Sequence, residues 1–500
     1  MLRHPDLASA LVRAADAPRR APIVIAMTAL LAGPSGGRRR ITVATPDILG
    51  DKMAGPAIRA HHFAQSLAAH HDVELVSTTS CTLRSDERFA IRKAAPRDIP
   101  GLIARTDVWV VQGNVLLRYP QIARGDGVIV VDLYDPYHLE NLEMSRGATP
   151  RERLALVHNA TVALNRSIAR GDYFLVASDK QRDFWLGALA ALGRVNPPTY
   201  DADPSLSSLF ATVPFGLDDA PPTRGEPVLR GVVPGIGDDD VVLIWGGGLY
   251  NWFDPHTLVR AVGRLSARRP DVRLVFLGTG HPNASSPTMR TANATRALSD
   301  ELGLTNRHVF FNEGWVPYDK RGGYFLEADI GVSTHLQHVE TEFSFRTRIL
   351  DYLWAGLPVV ATSGDVFADV IEERALGRVV PPGDVEALET ALFELISDDA
   401  LRADCARAAA TTAGDYTWTR AVAPLVDFCA APRRAPDLLA PAVRRHIRRP
   451  LEPVRAPTPG PAGWRGEVAL ARRYLDEGGG WLLGKRLVTR AGKLLRGRTE

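Results

Sequence analysis

Five hundred residues exceed what one hydrophobic core holds and suit two domains with extensions. Apolar residues make up 45% and charged residues 23%, as in a soluble globular protein, and the three widely spaced cysteines, with no CxxC or His/Cys cluster, exclude a zinc site or a disulfide framework and fit a reducing cytoplasm. The net charge of +3 is uneven: residues 431–500 hold sixteen Lys/Arg against six Asp/Glu, a balance of +10, leaving about −7 elsewhere.

The first apolar run, 23–32, is too short for the roughly 20 residues of a spanning helix. A signal peptide is the rival reading, since Arg19 and Arg20 precede the run. Its distance from Met1 and the following Arg38, Arg39 and Arg40 favour a variable extension over 1–40. Short β-branched runs then recur at 41–45, 73–77, 108–112, 128–132 and 173–177, and again at 241–245, 272–277, 308–311, 330–333 and 358–361. Near-continuous apolar runs alternating with helical stretches predict parallel strands buried on both faces. The pattern pauses over 197–240, rich in Pro, Gly and Asp. An α/β chain of two Rossmann-like domains is expected, at 41–215 and 241–415, joined by a linker at 216–240. A closing helix at 416–430 carries Trp418 and Phe428 as anchors. The tail, 431–500, is Pro-rich and then amphipathic over 464–498.

Ligands of open α/β sheets bind beyond the carboxyl ends of the strands. The first such loop holds Gly50, Asp51, Lys52 and Gly55 ahead of a helix near Ala57, where free N–H groups suit an anion or the glycines serve shape alone. The second is Gly246-Gly247-Gly248, without the GxGxxG of a dinucleotide fold; beyond it Asp254 and Pro255 read as N-cap and first helical residue. The third spans 340–358. A helix from Thr347 to the Gly356 C-cap aims amides at one spot with Arg346 or Arg348, an anion site for a pyrophosphate. Asp351 sits one turn inside to meet ribose hydroxyls, and Glu342 stands where it reaches a sugar.

This stretch resembles the donor-site signature of family 4 retaining glycosyltransferases, which have the GT-B fold. The likeness rests on the acid pair followed by Gly356-Leu357-Pro358-Val359-Val360, on Pro381-Pro382-Gly383-Asp384, on Val213-Pro214-Phe215-Gly216 and on Ala177-Ser178-Asp179-Lys180. The strand ending at Gly280 is similar to the one whose glycine loop lies by the nucleotide, and 312–316 to the segment lining the base. The resemblance runs from about 41 to 428. It implies two parallel sheets facing a cleft and metal-independent transfer from a nucleoside diphosphate sugar, with no further cofactor, to a glycan or lipid-linked acceptor in cell-surface assembly. It also implies donor contacts at Gly247, Gly248, Gly280, Val316, Ser344, Phe345, Arg346, Arg348 and Asp351, with His138 and Glu342 as catalytic residues. Gly50, Asp51, Lys52, Gly55 and Asp135 then fall on the acceptor side, with Asp132, His335 and His338 near the cleft.

Two departures stand out. Eight residues, not seven, separate Glu342 from Asp351, and the second acid is Asp. The family's Arg and Lys after the glycine strand are missing, so Arg346, Arg348, Lys320 or Arg321 must supply that charge. The alternatives are a nucleotide-sugar epimerase of the same fold or a non-catalytic GT-B scaffold; a nicotinamide-dependent oxidoreductase lacks its fingerprint. The basic tail suits an anionic inner membrane surface better than nucleic acid, because its aromatics are too sparse for a stacking platform. The enzyme is therefore expected in the cytoplasm, peripheral on the inner face of the membrane.

Overall fold

The computed structural model describes residues 37–278, 290–314, 316–445 and 447. The extension before 37, Gly280 and the amphipathic stretch 464–498 lie outside the described residues.

Two parallel sheets account for every strand among the described residues. The first joins β1 (Arg40–Thr45), β2 (Asp72–Ser77), β3 (Ala90–Lys93), β4 (Val108–Gln112), β5 (Val128–Asp132), β6 (Tyr173–Val176) and β7 (Phe210–Thr212) in the order β3-β2-β1-β4-β5-β6-β7. The second joins β8 (Val241–Gly248), β9 (Val272–Gly278), β10 (Val309–Phe311), β11 (Ile330–Ser333), β12 (Val359–Thr362) and β13 (Gly377–Val380) in the order β10-β9-β8-β11-β12-β13. Both orders reverse direction once, between β1 and β4 and between β8 and β11. A crevice opens at each such switch point. The two-sheet α/β architecture expected from the sequence is the one observed.

The helices that matter for the site are α1 (Gly55–Ala68), α2 (Tyr137–Met144), α3 (Pro150–Arg170), α4 (Asp179–Ala191), α5 (Pro255–Leu265), α6 (Arg321–Leu326), α7 (Val339–Phe343), α8 (Thr347–Trp354) and α9 (Trp418–Ala430). Residues at their starts fix several of them. Ser178 accepts from the Gln181 amide at α4, and Asp254 caps α5 by accepting from the Thr257 amide, with Pro255 at the first helical position. Gly356 ends α8 with φ +66°, a conformation that favours glycine.

The stretch 197–240 is only partly a connector. Its first residues form a short helix (Pro197–Ala202) and β7, the edge strand of the first sheet. The chain crosses between domains at 213–217 and returns at 416–418. The crossings pair: the Leu217 amide donates to the Tyr416 carbonyl at 2.7 Å, and the Trp418 amide to the Leu217 carbonyl at 2.8 Å. Gly216 lies flat against the Trp418 ring, where a Cβ would come within 2.3 Å of it. Helix α9 then packs on α1, closing the molecule on its first domain.

Tyr352 of α8 ties the second sheet to its glycine loop. Its ring covers Gly331, where an added Cβ would sit 2.3 Å away. Its hydroxyl donates to the Val332 carbonyl at 2.8 Å and accepts from the Gly246 amide at 2.9 Å. Tyr352→Phe leaves both backbone groups unpaired in a dry interior. A loss of about 1–2 kcal/mol is expected in urea unfolding, with a smaller loss in ligand affinity at the adjoining loop. An unchanged unfolding midpoint would count against this role.

Candidate active site

A cavity of about 200 Å³ lies between the domains. The first domain contributes Met53, Ala54, Gly55 and Ile58 at the start of α1, and the crossing contributes Phe215, Gly216 and Leu217. The second domain contributes Gly247 and Gly248 at the end of β8, Gly278 at the end of β9, Val316 beyond β10, and Thr347, Leu350 and Asp351 of α8. Gly247 has φ +85° and nothing within 4 Å of where its Cβ would lie, so the backbone itself forms that wall. The Thr347 end of α8 is open here, and helix N-termini attract anions.

Arg321 of α6 is the cation on this wall. It donates to Asp351 at 2.9 Å, to Asp218 at 3.3 Å and to the Tyr318 carbonyl at 2.7 Å, and its guanidinium stacks 3.5 Å from the Tyr318 ring centroid. It therefore fixes Asp351 rather than reaching freely into the cavity. Burial raises the Asp351 carboxyl, with Arg321 opposing that rise.

Arg346 and Arg348, expected to face an anion directly, are both turned inward. Arg346 makes a two-pronged pair with Glu340 at 2.9 and 2.8 Å, with both partners buried. Arg348 is 7% exposed, donates to the Gly248 carbonyl at 3.0 Å, and lies 4.3 Å from Trp245 and 3.9 Å from Phe253. It makes no ion pair among the described residues, and its Nη1 has no hydrogen-bond partner there. Burial brings it down to about 10, so it remains a cation at neutral pH, directly behind the glycine loop.

Glu342 is exposed on α7, whereas Glu340, two residues earlier, is buried. The opposite turn of the short helix reflects the Glu340–Arg346 pair and the His338 cap that accepts from the Thr341 amide. Ser344 donates to the Thr341 carbonyl, and Phe345 packs on Phe367; neither lines the cavity. His138, on α2, packs against Phe184 and Trp185, and burial lowers it to about 4, leaving the ring neutral. His335 is buried on Thr362, and His338 contacts the Trp252 carbonyl.

Of the residues expected on the acceptor side, Gly55 lines the interdomain cavity, while Asp51 and Lys52 are exposed and are not among its lining residues. Gly50 serves shape, since a Cβ there would sit 2.6 Å from Thr82 Oγ1. Asp135 lines a second cavity, of about 250 Å³, with Pro46, Asp47, Pro56, Gln112, Asn114, Asp132, Tyr134 and Tyr137. This lies beyond the carboxyl ends of β1, β4 and β5, at the switch point of the first sheet. Asp132 is neutralised by Arg59, which is fully buried and bonds it at 2.8 and 3.0 Å. Gln112, Tyr134 and Glu340 were missed in the sequence, where a lone Gln or Tyr at a strand end carries no signal. No group of three or more His, Cys, Asp or Glu among the described residues is arranged to hold a metal.

Gln181 of α4 bridges the domains. Its amide donates to the Tyr134 carbonyl at 2.7 Å and to the Phe343 carbonyl at 2.8 Å, while Phe184 packs 4.5 Å from Phe343. This brings Asp135 and Glu140 of the first domain toward Glu340 of the second. Burial, then the charges of Glu340, Asp132 and Asp47, push the Asp135 carboxyl up to about 7. Burial, Asp135 and Glu340 likewise raise Glu140, against the lowering by Arg346. A raised acid stabilises the fold while neutral. That stability is full below its unfolded value near pH 4 and is lost as pH climbs through about 7. Wild type is therefore expected to lose stability relative to Asp135→Asn between pH 5 and pH 8, read as urea midpoints at the two values. A gap independent of pH would refute the assignment.

Residues 240–398 match the family profile described as "Glycosyl transferases group 1". The chain is 26% identical over 298 residues to a D-inositol 3-phosphate glycosyltransferase of Saccharomonospora viridis, covering 58% of this chain and 61% of that one. It is 28% identical over 162 residues to a phosphatidyl-myo-inositol mannosyltransferase of Mycolicibacterium smegmatis, covering 32% and 37%. These matches span less than two thirds of either relative's length. Among solved structures, Anabaena HepE in complex with UDP and glucose superposes with a TM-score of 0.57 at 15% identity, covering 78% of this chain and all of that one. Sucrose-phosphate synthase from Thermosynechococcus elongatus gives 0.56 at 12%, covering 78% and 98%. The fold is GT-B, and the group 1 glycosyltransferase match falls on the second domain.

Proposed function

We propose that the chain transfers a sugar from a nucleoside diphosphate donor to a hydroxyl acceptor, with retention at the anomeric carbon and without a metal ion or resident cofactor. The observation that carries this reading is the interdomain cavity, whose donor-side wall lies wholly within the group 1 glycosyltransferase domain. Its glycine backbone, the N-terminus of α8 and the buried Arg348 suit a diphosphate, and Asp351, oriented by Arg321, suits a ribose diol.

In the reaction, the bond from the anomeric carbon to the diphosphate oxygen breaks and the acceptor oxygen bonds to the same carbon. The acceptor's proton leaves with the departing diphosphate. The protein's part is to stabilise the charge that develops on that leaving group and to hold both reactants in line. Relatives named for inositol-containing substrates suggest a lipid-linked or cyclitol acceptor in envelope assembly.

Incubation with a panel of nucleotide sugars is expected to give tight binding or slow hydrolysis of one donor; no binding by any of them sinks the reading. Asp351→Asn is expected to weaken that nucleotide about tenfold, the worth of one charge-assisted hydrogen bond. The matching 2′,3′-dideoxy nucleotide should bind both forms equally.

The basic stretch 431–500 extends the proposal to an anionic inner membrane surface, where a lipid-linked acceptor would lie. No helix among the described residues is long and apolar enough to cross a membrane. Co-sedimentation with anionic vesicles, lost on removal of residues 447–500, is the expected result.

A further inference from the structure

The second cavity differs from the first in its chemistry. No lysine or arginine lines it. Arg59 lies behind Asp132 and is used up there: beyond its two bonds to that carboxylate it donates to the carbonyls of Val213 and Pro214. Asp135 has neither a hydrogen bond nor a cationic partner among the described residues. Gln112 donates its side-chain nitrogen to Asp132 at 2.9 Å. A carboxylate accepts only from the nitrogen of an amide, so this contact fixes which way the amide faces. The Gln112 Oε1 therefore remains as an acceptor, on a side chain only 5% exposed, with no donor among the described residues. A buried carbonyl oxygen lacking a donor is a place for a ligand's N–H or O–H. Tyr137 adds an aromatic wall suited to a sugar face, while the Tyr134 ring already carries the Arg59 guanidinium 4.6 Å from its centroid.

The two cavities adjoin. Gly55 lines one and Pro56 the other, and a Cβ on Gly55 would sit 3.2 Å from the Tyr134 hydroxyl. The second cavity is thus the neighbour of the donor cavity at the start of α1.

We propose that the second cavity is the acceptor subsite and that it takes an amine-bearing polyol, of the amino-sugar or amino-cyclitol class, and rejects a phosphorylated one. The inference rests on the glycosyltransferase reading and sharpens it. The unpaired Asp135 carboxylate and the Gln112 Oε1 both ask for donors, which an ammonium and its neighbouring hydroxyls supply. A phosphate offers only acceptors and negative charge to the same groups. The phosphorylated substrate in the name of the Saccharomonospora viridis relative therefore does not carry over to this chain.

The test is calorimetric titration of the full chain, with and without a saturating nucleoside diphosphate, against glucosamine, glucose and glucose 6-phosphate at pH 8. Glucosamine is expected to bind at least about tenfold more tightly than glucose, with glucose 6-phosphate weakest. Asp135→Asn is expected to remove the preference for the amine without changing nucleotide affinity, and Gln112→Leu to weaken both neutral and amino sugars. Tightest binding by glucose 6-phosphate, or equal binding of glucosamine and glucose, overturns the proposal while leaving the donor reading intact. Failure of every nucleotide sugar, alongside glucosamine binding that depends on Asp135, overturns the donor reading and with it the acceptor role, and leaves only recognition of an amine by the cavity.

Discussion

Arg348→Met is expected to weaken binding of a nucleoside diphosphate about 100-fold while leaving the melting temperature equal to or above that of the wild-type chain. The two effects have one cause. The Arg348 guanidinium sits behind Gly248, packed on Trp245 and Phe253, with no carboxylate in ion-pair contact among the described residues; Asp351, one turn on, is held by Arg321. A buried cation without a counter-ion destabilises a fold, and an apolar residue of similar volume relieves that burden. The same cation is well placed to hold a diphosphate on the far side of the glycine loop. At an effective dielectric constant of about 20, a unit charge about 6 Å from a guanidinium gains about 3 kcal/mol, or roughly 100-fold in affinity. The corresponding nucleoside, lacking phosphate, should bind both forms alike. An equal loss for nucleoside and diphosphate would mean that the substitution merely distorts the loop. A lowered melting temperature would mean that Arg348 is held by interactions the fold needs.

That prediction also marks where the sequence ceased to be readable. The strands were legible because central parallel strands are apolar throughout, as in the Val-Trp-Val-Val of β4. The short edge strands β3 and β7 were not. In β3 only Ile91 is buried, and β7 falls inside a stretch dominated by turn-forming residues. The site was legible as a segment and not as a set of side chains. Glu340 and Glu342 differ by two positions, about 200° around a helix, so one faces in and the other out. No local pattern distinguishes them; the choice is made by Arg346, which takes Glu340 into the interior. Likewise, the positive charge missing after Gly248 returns from α8 by way of the interior, a placement only tertiary packing decides. Gln112 and Tyr134 gain meaning only when β4 and β5 lie side by side.

Asp437→Ala is expected to cost about 3–5 kcal/mol in equilibrium unfolding, the usual range for one partner lost from a buried ion pair. Asp437 and Arg194 are both fully buried and join through two bonds, at 2.5 and 3.1 Å, across 243 residues of sequence. Arg194 also donates to the carbonyls of Ile168 and Gly171, and Asn196 donates to Asp437. Without Asp437 the guanidinium is left charged in a dry interior. The double variant Arg194→Met with Asp437→Leu should recover part of the loss, because it removes both charges together; a single variant as stable as wild type would refute the account. Nearby, the Ala435 amide donates to Asp172 and Arg434 bonds the Asp126 carbonyl. The start of the basic stretch is therefore a strap on the first domain, not a free tail. Its cations at 433 and 434 are turned to the protein: Arg433 lies over the Phe428 ring and Arg434 pairs with Asp172. Any attraction to an anionic surface must come from residues further on. Truncation at 431 would strip Asp437 from Arg194 and destabilise the first domain, whereas truncation after 446 keeps the strap and isolates the membrane question.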